Sequence, residues 1–94
     1  FNMYPRKGRI EKGSDADIVI WDSEAARTVS VKSHHSVSDM NIFEGRTYHG
    51  VPSVVISNGR IVLEDGVLNV MQGVGRFVER PCFADYAFSR IKVR

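Results

Sequence analysis

Apolar and β-branched residues fall in short runs along this chain, and the spacing inside each run predicts what it builds. Ala16-Asp17-Ile18-Val19-Ile20-Trp21-Asp22 is a near-continuous apolar run framed by Gly13-Ser14-Asp15 and Asp22-Ser23. Such a run predicts a strand covered on both faces through much of its length. Thr28-Val29-Ser30-Val31-Lys32 alternates polar with apolar residues, which predicts a second strand with one dry face and one wet. The sharpest local signal is Val54-Val55-Ile56-Ser57-Asn58-Gly59-Arg60-Ile61-Val62-Leu63. Asn-Gly accepts the positive φ of a type I′ turn, so two residues suffice to reverse the chain. That loop length sets Ser57 opposite Arg60, Ile56 opposite Ile61, Val55 opposite Val62 and Val54 opposite Leu63. Each inner rung then pairs apolar with apolar. Glu64-Asp65-Gly66 reads as another turn, with Val67-Leu68-Asn69-Val70 as a short strand behind it.

Beyond Gly73 and Gly75 the period changes. Phe83, Ala87 and Ile91, with Tyr86 beside them, follow Pro81 at helical spacing, which predicts a short amphipathic helix over residues 83–92. So short a helix is marginal alone and needs a surface, either the sheet or a neighbouring subunit. The sum is a mainly β chain of four to six short strands with one terminal helix, a β-sandwich or partial barrel. Residues 1–10 carry no clear element, and a strand that is apolar on both sides needs cover this chain does not obviously supply. A piece of a larger protein, with strands contributed from elsewhere, is the expectation.

The length of 94 residues fits one small domain. With 43% hydrophobic and 26% charged residues the chain is ordinary globular material, neither disordered nor fibrous. Its apolar runs are far shorter than the ~20 residues of a membrane-spanning helix, and its start lacks the basic-then-apolar pattern of a signal peptide. Cys82 is the one cysteine, which excludes an internal disulfide and suits a reducing, cytoplasmic setting. The net charge of +2 is too mild to indicate a nucleic-acid protein. Five acids between Glu11 and Glu24 and five bases between Arg76 and Arg94 divide the charge unevenly. Solvated faces explain this most simply, with subunit contact as the alternative.

Candidate chemistry is sparse. His34 and His35 are adjacent, so on a strand they would point apart, and His49 lies distant in sequence. No metal-binding spacing is present. Asp15 and Asp17 could face one way and act as paired carboxylates. The simpler expectation is a turn entering a strand, with Asp15 accepting local backbone N–H groups. Ser53 and Ser57 lack a nucleophile elbow. Cys82 has no marked histidine partner. Gly73-Val74-Gly75 follows no Rossmann unit. Arg76, Arg80, Arg90, Lys92 and Arg94 interleave with Phe77, Phe83, Tyr86 and Phe88 in a manner that suits stacked bases, but the helical spacing of the aromatics fits packing better. No catalytic, cofactor-binding or metal-ligating residue is assigned within the chain, and neither nucleic acid nor membrane is expected as a partner.

Several blocks nevertheless occur in a telling order. They are Tyr4-Pro5-Arg6-Lys7-Gly8-Arg9-Ile10, Gly13-Ser14-Asp15-Ala16-Asp17-Ile18-Val19-Ile20-Trp21-Asp22, Asn41-Ile42-Phe43-Glu44-Gly45, His49-Gly50-Val51-Pro52, Val55-Ile56-Ser57-Asn58-Gly59-Arg60-Ile61-Val62 and Gly75-Arg76-Phe77. Together they resemble the dihydropyrimidinases and their non-enzymatic relatives, the collapsin response mediator proteins, within the cyclic amidohydrolases. The resemblance covers nearly the whole chain. Gly-x-Asp-Ala-Asp is common among amidohydrolases, whereas the Asn-Ile-Phe-Glu-Gly and Tyr-Pro-Arg-Lys-Gly blocks are much narrower.

The resemblance implies the C-terminal part of a protein about five times longer, a (β/α)8 barrel carrying a composite β-sandwich. Residues 1–12 would end the barrel and link to the sandwich, residues 13–75 would supply its C-terminal strands, and residues 76–94 would form a tail with the short helix, making the subunit contacts of a homotetramer. The parent enzymes open dihydropyrimidine rings to N-carbamoyl-β-amino acids with two zinc ions, a step of pyrimidine catabolism. Those ligands belong to barrel motifs that have no counterpart here, so this stretch is expected to bind no zinc. Ser33-His34-His35-Ser36 looks more like the dihydropyrimidinase branch, while Ile61-Val62-Leu63-Glu64-Asp65-Gly66 looks closer to the mediator proteins, cytosolic scaffolds that bind cytoskeletal partners. The enzyme branch is preferred.

Overall fold

A computed structural model of the chain describes residues 1–83. Among them, four strands form one antiparallel sheet in sequence order: β1 (Ile18–Thr28), β2 (Thr47–Ser57), β3 (Arg60–Glu64) and β4 (Val67–Leu68). The chain is mainly β, with no helix among the described residues. The helix expected over residues 83–92 lies, apart from Phe83, outside the described residues.

Both tight turns are of the kind their residues demand. Asn58 and Gly59 take φ of +51° and +77°, and Asp65 and Gly66 take +49° and +82°, the doubly left-handed pattern of type I′. The first turn sets Ser57 opposite Arg60 and Ile56 opposite Ile61, as expected. The next rungs correct the expected register. Val55 faces Leu63 and Val54 faces Glu64, because a bulge at Val62 adds one residue to β3. The carbonyl of Val62 then accepts the Asn69 N–H at 2.8 Å, so the ladder outlasts β4 by one rung. As a strand, β4 covers only Val67–Leu68, shorter than the expected run to Val70.

The first strand needs a larger correction. It does not stop near Asp22 but continues through Glu24 and Arg27 to Thr28, and the strand expected over 28–32 does not form. Two irregularities carry it across its polar half. On β2, Ser53 is an extra residue between the pairs Ile20–Val54 and Trp21–Pro52. Its hydroxyl donates to the Ile20 carbonyl at 3.0 Å, and its own carbonyl accepts the Asp65 N–H at 2.9 Å. On β1, residues 23–25 swell out opposite Gly50, where Asp22 Oδ1 accepts the N–H groups of Glu24 and Ala25. Past the bulge, Thr28 and Thr47 join hydroxyls at 2.8 Å, and Val29 exchanges backbone bonds with Gly45 and Arg46.

Both faces of the sheet are apolar. Ile18, Ile56 and Ile61 lie on one side; Val19, Val55, Leu63 and Leu68 lie on the other. Among the described residues nothing supplies the cover expected over β1: Ile20 is 50% and Trp21 62% exposed, and no hydrophobic side chain is buried. The central strand β2, flanked on both sides, is half-buried continuously from Gly50 to Ile56, whereas β1 and β3 are half-buried at two residues each. The chain exposes 8412 Å², against about 5,500 Å² for a compact protein of this mass. A single uncovered sheet has no core of its own.

Candidate functional site

Three of the sequence blocks meet before β1. Residues 1–17 contain no strand or helix, but they are closely tied. The Lys7 N–H donates to the Met3 carbonyl at 3.0 Å, closing a turn around Tyr4-Pro5-Arg6. The Ser14 hydroxyl donates to the Pro5 carbonyl at 2.7 Å, and the Asp15 N–H donates to the Arg6 carbonyl at 2.9 Å. Tyr-Pro-Arg-Lys-Gly and Gly-Ser-Asp-Ala-Asp are thereby laid side by side.

Charge completes the junction. Arg6 Nε stands 2.9 Å and Lys7 Nζ 3.0 Å from Asp15 Oδ2, and Lys7 Nζ also bonds Asp17 Oδ2. Asp17 Oδ1 accepts the Asn58 N–H at 2.9 Å, and the Ala16 carbonyl accepts the Gly59 N–H at 3.0 Å. Asp17 thus ties the basic turn to the β2–β3 hairpin, a third block. Bonds from Lys7 and then Arg6 hold the Asp15 carboxyl below the usual carboxylate value. Lys7 and then the Asn58 N–H do the same for Asp17. The two carboxylates, Asp17 first, raise the Lys7 ammonium above its ordinary value.

This corrects one expectation. Asp15 does not serve local backbone N–H groups; its carboxylate is taken by two cations, and Asp17 is the residue that accepts a main-chain donor. All charges are matched and the cluster lies near the surface, so it offers neither a free base nor a free acid. Its chemistry is that of a clasp. Beside it, Arg9 donates to Ser14 Oγ, pairs with Glu11 and lies over the Tyr4 ring.

The histidines behave differently from the expectation drawn for a strand. His34 and His35 sit in the turns after β1 and both line one open cleft with Arg27, Pro52 and Leu63. His34 Nδ1 is 2.9 Å from Asn41 Nδ2, and Asn41 Oδ1 accepts the Phe43 N–H at 2.9 Å. Glu44 accepts the Val31 N–H at 2.8 Å. Asn-Ile-Phe-Glu-Gly is therefore a turn that its own Asn41 holds shut and that Glu44 ties to Val31. His49 stands exposed on β2 opposite Ala26. Among the described residues no three His, Cys, Asp or Glu side chains are grouped to hold a metal ion. A dinuclear zinc site does not fit these residues. Cys82 is a free, exposed thiol, and Ser57 ends β2 beside the Asn58 turn.

The family model described as the amidohydrolase family matches residues 1–62, from the basic turn through β2 to the bulge at Val62. The chain belongs to the amidohydrolase family. Within the family it is similar to the dihydropyrimidinase of Rattus norvegicus, with 57% identity over all 94 residues and 18% of that protein's length. It is 54% identical over the same span to dihydropyrimidinase 2 of Caenorhabditis briggsae, and 44% identical over 93 residues to dihydropyrimidinase-related protein 5 of Homo sapiens. Among solved amidohydrolase structures, the dihydropyrimidinase of Brevibacillus agri NCHU1002 matches 88% of this chain and 18% of its own, with TM-score 0.82 and 44% identity. The D-hydantoinase of a Thermus species matches 85% of this chain with TM-score 0.81 and 42% identity. The chain spans under a fifth of the length of the curated relatives it matches.

Proposed function

We propose that this chain is the C-terminal portion of a dihydropyrimidinase-like enzyme that hydrolyses a small cyclic amide to an N-carbamoyl-β-amino acid. The observation that carries the proposal is the 57% identity to a dihydropyrimidinase over the whole chain. The hydantoinase and dihydropyrimidinase structures that share its fold point to the same substrate class. In this reading residues 1–12 end a (β/α)8 barrel, residues 13–75 are the C-terminal strands of a composite sandwich, and residues 76–94 are the tail that contacts a neighbour in a homotetramer. The uncovered faces of the sheet support the composite sandwich, because an apolar face of this size requires another layer. The two zinc ions of the parent would be held by residues outside this stretch. A cytoplasmic setting belongs to the same reading and rests on the single free thiol.

The contribution of this segment is structural. The clasp would fix the angle at which the chain leaves the barrel and enters the sheet. A second reading makes the parent a non-catalytic mediator protein that binds cytoskeletal partners. The 44% identity to dihydropyrimidinase-related protein 5 favours it, though less than the higher identities to dihydropyrimidinases. Zinc content and dihydrouracil hydrolysis, measured on the complete natively purified protein, separate the two. About two zincs per subunit with turnover is the result expected from the two-metal reaction. A folded, metal-free protein without turnover would overturn the enzyme reading in favour of the scaffold.

A further inference from the structure

The end of the described chain returns to its beginning. Asn2 Nδ2 donates to the Pro81 carbonyl at 2.7 Å, and Arg80 Nη1 donates to the Phe1 carbonyl at 2.9 Å. Each side gives one donor and one acceptor, on adjacent residues, so the two segments are fixed in register and not merely in contact. Pro81 has no N–H, which leaves its carbonyl as its one main-chain handle. The guanidinium bond is charge-assisted and the stronger of the two kinds. Asn2 sits at φ +63°, a left-handed conformation that asparagine tolerates far better than most residues. Asn2 and Met3 are half-buried. From Met3 the bonding runs to Lys7, from Lys7 to Asp17, and from Asp17 to Asn58 at the hairpin.

We propose that Asn2 and Arg80 form a latch within one subunit that fixes the point from which residues 84–94 continue, and so positions the tail for subunit assembly. The latch rests on the tetramer reading above and adds to it the residues that aim the tail. Its physical effect is preorganisation. A tail whose root is already held loses less conformational freedom when it meets a neighbour, so assembly is tighter with no added contact at the interface. Asn2 and Arg80 are positioning residues and belong to no catalytic group.

The test uses the complete parent protein with two substitutions at Asn2. Asn2→Asp keeps tolerance of positive φ but turns an oxygen toward the Pro81 carbonyl. Asn2→Gly keeps the conformation and removes the donor. Chymotryptic cleavage after the exposed Phe77, in the stretch the latch holds, should quicken by about fivefold or more in both variants, the equivalent of one lost hydrogen bond. Tetramers should also dissociate at several-fold higher protein concentration in sedimentation, while the subunit's melting temperature holds. Unchanged cleavage would overturn the latch. Faster cleavage with unchanged dissociation would overturn its role in assembly. Removing residues 76–94 tests the parent reading separately: a surviving tetramer sinks the tail contact, whereas the cleavage result on the Asn2 variants still reports on the latch.

Discussion

Arg6, Lys7, Asp15 and Asp17 satisfy one another inside one short segment of the chain, while Val19, Ile20 and Trp21, immediately downstream, stand open to solvent. The clasp carries its partners with it because ionic and hydrogen-bonding groups can be matched one to one across short distances. An apolar sheet has no such option, because its faces are satisfied only by area, and the described residues do not supply that area. The two regions thus report different things. The clasp shows how the segment is held in shape, and the sheet shows that something outside these residues must lie against it. In terms of energy the difference is large. Covering one large apolar side chain brings roughly 1.5–3 kcal/mol, whereas exposed ion pairs bring little.

The comparison breaks most visibly at Trp21. In the parent protein, Trp21→Asp should cost about 3–5 kcal/mol in chemical denaturation, through a lost apolar contact and a charge driven into the new layer. A cost near that of a surface substitution would mean that nothing covers this face. Next in size is Gly59→Ala. No atom lies within 4 Å of the added methyl and φ is +77°, so the loss of about 1–2 kcal/mol is conformational alone. Asp22→Ala removes the acceptor that holds residues 23–25 in their bulge. Its expected cost is about 0.5–1 kcal/mol, and faster exchange at the Glu24 and Ala25 amides would accompany it.

The smallest effect belongs to the clasp and is one of pH. Asp15 and Asp17 are held below their ordinary value of 3.8, so their stabilisation is complete above that value and fades as the pH falls through the folded values. Lys7 is held above its ordinary 10.5, so its share is complete below that value and fades as the pH rises through the folded value. Asp17→Asn retains an acceptor for the Asn58 N–H and drops the charge. It should flatten both limbs of a melting-temperature profile and leave neutral pH least changed in shape. A profile identical to that of the unsubstituted protein would show that the clasp bears no load.

What the sequence made legible follows the range of the forces involved. The Asn58-Gly59 turn was readable because two residues decide it, and so was the apolar character of β1 on both of its sides at Ile18 and Val19. The register beyond Ile56 was not, because the bulge at Val62 depends on the neighbouring strand. Nor was β2 before Val54, because Gly and Pro, here Gly50 and Pro52, both weaken the pattern of a strand. In the fold Gly50 lies opposite the swollen part of β1, and Pro52 lies next to the extra residue Ser53, the places where a ladder tolerates them. The clasp was half legible. Asp15 and Asp17 stood out, but their partners Arg6 and Lys7 come from a segment with no periodic pattern, and Asn58 is distant in sequence. Family resemblance marked all three blocks without saying that they touch.

The two type I′ turns differ from the long excursion over residues 29–46 in what they ask of an unfolded chain. Each turn closes two residues and can form in microseconds, whereas joining β1 to β2 must first close the whole excursion against chain entropy. The β2–β3–β4 meander is therefore the expected nucleus, with β1 adding to it later. Substitution at Ile61 should slow folding with φ-values approaching ~1, and substitution at Val19 should chiefly speed unfolding, with φ-values near ~0.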